Sequence, residues 1–195
     1  MIYVLGRFIC FLLSRVLFPI QVFGKGHIPK LGAFILASNH ISYLDPIAVG
    51  IACPRKLNFM ARHSLFSNRF FAWILPRVNA FAVQRNSADL SALKEAMRRL
   101  ENGEGLLLFP EGSRAAPGIS NDPLPGVGFL AAKLNVPVIP AFVKGTEIAL
   151  PKGAQRIKRA KVSVHFGRQI FIERSLPYQE ISQLIMANIK HLSVI

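Results

Sequence analysis

The chain has 195 residues, of which 24 are Lys or Arg and 10 are Asp or Glu, so its formal net charge is +14. Its residues are 51% hydrophobic and only 17% charged, where an ordinary soluble domain has about 25% charged residues. This composition excludes a disordered chain, which needs low hydrophobicity, and argues against a nucleic-acid binder, whose basic residues usually stand in a polar chain. An anionic membrane surface is the partner that suits a chain both basic and apolar.

The first predicted element is a membrane-associated helix over residues 1–23. No small-residue cleavage pattern follows it, so we do not interpret it as a signal peptide. Arg7 and Arg15 interrupt the apolar run and leave no uncharged window of about 18 residues, which counts against a membrane span. Gly6, Arg7, Ser14 and Arg15 form a narrow polar stripe on a helix, which favours a helix lying in the membrane interface.

The rest of the chain alternates between predicted strands and helices. Short apolar runs at 33–38, 106–109 and 136–143 are typical of buried strands. Apolar residues at helical spacing predict helices at 90–100, 128–134 and 175–192. For the first of these helices, Ser87 is the expected N-cap and Gly103 the expected C-terminal stop. An aromatic segment at 65–81 is either a lipid contact or a buried core helix, and both interpretations stay open. The alternation predicts an α/β fold with a mainly parallel sheet flanked by helices, and chemistry at the carboxyl ends of its strands.

The loop after the first of these strands contains a His and a solitary carboxylate. Residues 1–88 include ten Lys or Arg and one acid, Asp45, which follows His40 by five positions. Pro46 suits the first turn of a helix and disfavours helical conformation at Asp45, so we expect the helix to begin there and His40 to precede it. The carboxylate then reaches back to the imidazole.

Such a pair is a general base with its orienting carboxylate, like a Ser-His-Asp triad without the serine. A substrate hydroxyl supplies the missing nucleophile, and a thioester donor requires no acyl-enzyme because its thiolate leaves readily. The alternative interpretation is a structural His40 at a strand end with an Asp45 that only caps a helix.

The second strand ends in Phe-Pro-Glu-Gly-Ser-Arg at 109–114. A turn of this composition is typical of an anion site, since Arg offers a planar fork to phosphate and Gly lets backbone N–H groups approach. An apolar run at 81–84 leads to Arg85, and Val-Pro-Val-Ile-Pro occupies 136–140. Each of these segments alone is a weak signal.

In their order along the chain, the four segments resemble the sequence blocks of the glycerolipid acyltransferase superfamily, most closely its lysophosphatidic acid acyltransferases, over residues 26–143. The resemblance implies His40 as base, Asp45 as its partner and Gly112 as a backbone donor to the oxyanion. It further implies that substrate is bound by residues of the first three blocks: Asn39, Arg85, Glu111, Ser113 and Arg114. The fourth block is associated with binding of the acyl donor or acceptor.

The resemblance also implies the reaction and its place. An O-acyltransferase domain at 24–195 would move a fatty acyl group from acyl-CoA or acyl-carrier protein to 1-acyl-sn-glycerol-3-phosphate, giving phosphatidic acid in phospholipid biosynthesis. The acyl donor is a co-substrate, and we expect no cofactor, no metal and no nucleic acid. The expected location is the cytoplasmic face of the inner or plasma membrane. Two alternatives remain: an acyltransferase for another lyso-lipid, such as a lyso-ornithine lipid, and a basic protein that binds membranes or nucleic acid without catalysis.

Overall fold

The computed structural model describes residues 1–84, 89–114, 122–151 and 153–194. The helices are α1 (Ile2–Leu17), α2 (Asp45–Ala52), α3 (Arg69–Arg77), α4 (Leu90–Glu101), α5 (Gly126–Leu134), α6 (Thr146–Ala149) and α7 (Tyr178–His191). The strands are β1 (Ile20–Phe23), β2 (Phe34–Ser38), β3 (Leu57–Arg62), β4 (Ala80–Val83), β5 (Gly105–Leu108), β6 (Val138–Lys144) and β7 (Val162–Phe166). Short 3-10 turns lie at Lys25–His27, His63–Ser67 and Leu192–Val194.

The strands described here form one sheet in the order β1-β7-β6-β2-β5-β3-β4. Every neighbouring pair is parallel except β6 with β7. One face of the sheet packs against α2 through Ala48 and Val49, and the other packs against α4, α5 and α7 through residues such as Ala96, Leu130 and Ile185. The predicted α/β fold with a mainly parallel sheet flanked by helices is confirmed.

The order of the strands determines where the sequence blocks meet. Strand β2 is buried at all five residues and pairs in parallel with β5 on one side and β6 on the other. Because parallel strands end at the same edge of a sheet, the segments that follow these three strands emerge side by side. These segments carry the His40–Asp45 loop, the 109–114 turn and the start of α6.

Helix α1 is shorter than the predicted helix over residues 1–23. It ends at Leu17, and the backbone at Phe18 leaves the helical region with φ −150° and ψ 75°. Pro19 follows Phe18, and a residue before proline is disfavoured in the helical conformation. Residues Ile20–Phe23 instead pair with β7 as the edge strand of the sheet.

The inner face of α1 is attached to the rest of the fold by polar contacts. The Tyr3 hydroxyl accepts the N–H of Leu57 at 3.0 Å. Arg7 donates to the carbonyl oxygens of Ile51 at 3.0 Å and Cys53 at 2.6 Å. These carbonyls lie at the end of α2, where a cation is favourable to the helix dipole. In the described part of the chain, no helix has the length and apolar character needed to cross a membrane.

The structure tests one of the two interpretations of residues 65–81, the buried core helix. The segment forms the end of a 3-10 turn, α3 and the start of β4, and α3 contains no buried residue. Phe70 is 63% exposed and Trp73 is 50% exposed, so the core-helix interpretation is wrong. The side chain of Asn68, which precedes α3, accepts the N–H groups of Phe70 and Phe71 and so caps the helix.

Two other local predictions differ from the structure. The N-cap of α4 is Asp89, whose carboxylate accepts N–H groups of Ser91 and Ala92, while Ser87 lies outside the described residues. Hydrogen bonds to the Asp89 carboxylate lower its pKa to about 2, and the bond from the Ser91 hydroxyl has the largest effect. Strand β7 is the second difference, because no strand was predicted at this place. Its Val162, Val164 and Phe166 alternate with polar residues and are buried.

Candidate active site

The loop between β2 and α2 brings His40 and Asp45 together. Helix α2 begins at Asp45 with a proline in its first turn, as predicted, and His40 lies in the loop before it. Nδ1 of His40 is 2.9 Å from Oδ2 of Asp45, and both residues are buried. An ionised carboxylate only accepts hydrogen bonds, so Nδ1 carries the proton and Nε2 is the basic nitrogen of the ring.

The Asp45 carboxylate is surrounded by four donors. Its Oδ2 accepts the N–H of Ile41 at 2.7 Å and of Ser42 at 2.8 Å, besides the imidazole. Its Oδ1 accepts the hydroxyl of Thr146 at 2.6 Å. The two N–H groups belong to the loop before α2, so the carboxylate closes that loop and does not cap the first turn of the helix. Charge-assisted hydrogen bonds of this kind are short and strong, and they hold the carboxylate in one orientation.

His40 is held by two further contacts from the 109–114 segment. Its ring stacks on Phe109, with centroids 4.0 Å apart and an angle of 17° between the planes. Its backbone N–H donates to Oε2 of Glu111 at 3.0 Å, and Glu111 is buried. The imidazole therefore has a carboxylate at one edge and a phenyl ring on one face.

Two residues predicted to bind substrate have partners inside the protein. The side-chain amide of Asn39 donates to the carbonyl of Val143 at 2.9 Å and accepts the N–H of Val143 at 2.7 Å. Glu111 holds the backbone of His40, as described above. These contacts orient the loop, and contact of Asn39 and Glu111 with substrate stays a prediction.

Gly112 shapes the turn that carries Arg114. Its φ is +66°, and a Cβ there would lie 2.5 Å from Cδ1 of Leu124, so the position suits glycine. The N–H of Gly112 donates to the carbonyl of Phe109 at 2.9 Å. This bond occupies the donor that the resemblance assigns to the oxyanion, so such a role would require the turn to open. Ser113 lies exposed in the same turn.

Arg114 projects over a residue that sequence reasoning missed. Its guanidinium carbon lies 3.4 Å from the centroid of the Tyr43 ring. Within the described residues, Nη1 of Arg114 is buried and has no hydrogen-bond partner. A buried charged donor without a partner is costly, and an anionic ligand would satisfy it. The other predicted cation of the site, Arg85, lies outside the described residues.

Sequence reasoning also missed Thr146, which reaches Asp45 from the start of α6. The signal that could have identified Thr146 is its position just after β6, a strand that ends at the same edge of the sheet as β2. Ser42, a residue of the same loop, donates its hydroxyl to the carbonyl of Leu150 at 2.9 Å. Among the described residues, no three His, Cys, Asp or Glu side chains are grouped closely enough to hold a metal ion.

Comparison with known proteins adds the following similarities. The sequence model of a family described as Acyltransferase matches residues 19–144, more than half of the chain. A 1-acyl-sn-glycerol-3-phosphate acyltransferase of Bacillus subtilis is 27% identical over 153 residues, which are 77% of this chain and 73% of the relative. A protein of the same name from Streptococcus pneumoniae is 33% identical over 141 residues, 71% of this chain but only 50% of its own length.

A solved structure has the same fold. The crystal structure of the 1-acyl-sn-glycerophosphate (LPA) acyltransferase PlsC from Thermotoga maritima superposes with a TM-score of 0.78 at 24% sequence identity. The match covers 100% of this chain and 79% of that chain.

Proposed function

Because this chain belongs to the acyltransferase family, we propose that it moves a fatty acyl group from acyl-CoA or acyl-carrier protein to the free hydroxyl of 1-acyl-sn-glycerol-3-phosphate. The product is phosphatidic acid. The observation that carries the proposal is the buried hydrogen bond of 2.9 Å between His40 and Asp45 at the carboxyl edge of the sheet. The relatives from Bacillus subtilis and Streptococcus pneumoniae are both 1-acyl-sn-glycerol-3-phosphate acyltransferases by name, which supports the choice of acceptor.

In the proposed mechanism, Nε2 of His40 accepts the proton of the acceptor hydroxyl while that oxygen attacks the thioester carbonyl carbon. Asp45 stabilises the imidazolium that forms. The tetrahedral intermediate collapses with cleavage of the carbon–sulfur bond, and the imidazolium returns its proton to the departing thiolate. The acyl group is thereby transferred directly from the thioester sulfur to the acceptor oxygen, with no acyl-enzyme and no cofactor.

The acceptor phosphate is assigned to Arg114, with Arg85 as the second cation. The unpartnered Nη1 of Arg114 supports this assignment because it is a buried charged donor at the same edge as His40. The stacking of Tyr43 on the guanidinium leaves the planar fork free to bind a phosphate at its rim. We assign to Gly112 the shape of the turn, and to Glu111 the orientation of the His40 backbone.

Replacement of Tyr43 by Leu is expected to raise KM for the phosphorylated acceptor by about 2- to 30-fold, since a cation–π contact is worth about 0.5–2 kcal/mol. Without the ring the guanidinium adopts more orientations, whereas the chemistry at His40 is untouched, so kcat changes little. Steady-state kinetics with varied acceptor measure both constants. Tyr43→Phe is the matched control, because it keeps the ring and should keep KM. An unchanged KM in Tyr43→Leu would remove the stacking role.

We further propose that the outer face of α1 lies in the membrane interface. It is defined by apolar side chains that are largely exposed to solvent: Val4, Leu5, Phe8, Ile9, Leu12, Leu13 and Val16. The inner face is attached to α2 by Arg7. At Gly6 this face lies close to the end of α3, since a Cβ there would be 3.8 Å from the side chain of Val78. Phe70 and Trp73 of α3 are further apolar side chains exposed at the surface. Basic residues favour contact of such a surface with an anionic membrane. We propose the cytoplasmic face of that membrane, where the thioester donor is available.

The double replacement of Phe8 and Leu12 by Ser is expected to weaken binding to anionic phospholipid vesicles by at least about tenfold, because it removes two apolar side chains from the contact. Vesicle flotation measures the bound fraction. Phe171→Ser is the control, since Phe171 is 84% exposed and lies outside α1. Equal losses of binding in the two proteins would contradict an α1-specific contact.

The experiment that tests the function is a thiol-release assay with acyl-CoA and acyl-carrier protein, run against a panel of lyso-lipids in detergent micelles. We expect the fastest thiol release with 1-acyl-sn-glycerol-3-phosphate, together with phosphatidic acid detected by mass spectrometry. Faster thiol release with a phosphate-free lyso-lipid would contradict the proposed acceptor and still support the proposed acyl transfer. Absence of thiol release with every acceptor, from protein with a cooperative thermal transition, would overturn the proposed function.

A further inference from the structure

The end of β6 and the segment that follows it contact the loop between β2 and α2 at three places. Asn39 forms two hydrogen bonds with the backbone of Val143 at the end of β6. Ser42 donates its hydroxyl to the carbonyl of Leu150 at the end of α6, at 2.9 Å. Between these two points, Thr146 donates its hydroxyl to Oδ1 of Asp45 at 2.6 Å. Of the three contacts, the one from Thr146 is made by a side chain directly to the Asp45 carboxylate.

Thr146 is placed by a turn that requires glycine. Gly145 has a φ of +92°, and a Cβ there would lie 2.1 Å from the backbone oxygen of Lys161. Its N–H is held by Oε2 of Glu147 at 2.8 Å. Thr146 itself is fully buried, and it is the only threonine in the 195 residues. Its hydroxyl therefore has a set position beside Asp45 and no access to solvent.

The two oxygens of Asp45 have different partners. Oδ2 accepts three donors, including Nδ1 of His40, whereas Oδ1 accepts the Thr146 hydroxyl. If that hydroxyl is removed, Oδ1 remains buried without this donor, which is unfavourable in a site that excludes water. Rotation of the carboxylate then lets its oxygens share the remaining donors, and this weakens the bond to Nδ1.

We propose that Thr146 is a positioning residue of the acyl transfer: its hydroxyl holds the carboxylate of Asp45 so that Oδ2 faces Nδ1 of His40 and the ring keeps Nε2 free of hydrogen. The proposal rests on the proposed function. Thr146 is buried and acts through Asp45, so its loss affects the proton transfer and leaves acceptor binding nearly unchanged.

The test compares Thr146→Val, which keeps the shape and removes the hydroxyl, with Thr146→Ser, which keeps the hydroxyl and removes the methyl group. In Thr146→Val we expect kcat to fall by about 10- to 100-fold, as for a buried acceptor that loses its donor, with KM within about twofold. In Thr146→Ser we expect kcat within about threefold of the wild type. Ser182→Ala is the control, because Ser182 is also fully buried and its hydroxyl accepts the N–H of Gly128 at 3.1 Å, between α5 and α7.

A second measurement does not depend on activity. The ¹⁵N chemical shifts of the His40 ring, assigned by difference from His40→Ala, identify which ring nitrogen carries hydrogen. We expect the Nδ1–H tautomer in the wild type and in Thr146→Ser, and a mixture of tautomers in Thr146→Val. Full-length protein in detergent micelles is used for all variants, with thermal unfolding as the check of folding.

The outcomes separate the two proposals. A wild type without thiol release but with the expected tautomers would overturn the proposed function and leave the positioning by Thr146 supported. Equal kcat and equal ¹⁵N shifts in Thr146→Val and wild type would overturn the positioning role, as would a Thr146→Ser variant as impaired as Thr146→Val. If Thr146→Val does not fold, Thr146→Ala takes its place, and failure of both to fold would show that the hydroxyl serves the fold and overturn the proposal.

Discussion

Replacement of His40 by Ala is expected to lower kcat by about 10²- to 10⁴-fold, the contribution of a positioned general base. The acceptor hydroxyl is a poor nucleophile unless its proton is removed as it attacks, and in the proposed mechanism Nε2 of His40 takes that proton. The fold should tolerate the change, because the Asp45 carboxylate keeps its donors from Ile41, Ser42 and Thr146. Thiol release at saturating donor and acceptor measures the effect.

The control for His40→Ala is His191→Ala, at the exposed end of α7, which should leave kcat within about twofold. A loss of only a few-fold in His40→Ala would reject the general-base role. That result would return His40 to the alternative interpretation, a structural histidine at a strand end.

Replacement of Asp45 by Asn is expected to have an effect of similar size. The corresponding change in a Ser-His-Asp triad lowers kcat by about 10⁴-fold. In this site an asparagine oxygen in the place of Oδ2 can still accept the imidazole and the two backbone N–H groups, and the amide can donate to the Thr146 hydroxyl. The geometry is thus retained while the negative charge beside the imidazolium is lost, so we expect a low kcat in a folded protein.

The measurement for Asp45→Asn is kcat together with the thermal transition. Glu180→Gln, the same chemical change at an exposed position in α7, is the control and should be active. A folded Asp45→Asn protein with unchanged kcat would show that the carboxylate only closes the loop between β2 and α2.

The motifs and their order predicted the family and the class of enzyme, and both are confirmed. They also predicted the contact between His40 and Asp45, because the two residues are close in sequence. Pro46 indicates that the helix begins at Asp45, which leaves His40 in the loop before it. The buried strands β2, β5 and β6 were predicted from short apolar runs, which are nearly continuous where a parallel strand is covered on both faces.

Other parts of the fold were missed because their signals are weak in sequence. Strand β7 has only five residues and is surrounded by basic positions, so its alternation was hidden. The edge strand β1 follows directly on an apolar helix, and the apolar run continues through both elements. In each case the partner strand decides the structure, since a strand is stabilised by hydrogen bonds that it cannot make alone.

By itself, the sequence determined the fold class and the contact between His40 and Asp45, because hydrophobic periodicity and a proline at a helix start act over a few residues. The tertiary structure alone decided which groups surround that pair. Thr146 contacts Asp45 from 101 positions away in the chain, and Glu111 holds His40 from 71 positions away. Strand order brings them there: β5 and β6 flank β2, so their following segments meet the same loop. No local pattern encodes that adjacency, since it arises from burial of strands against one another.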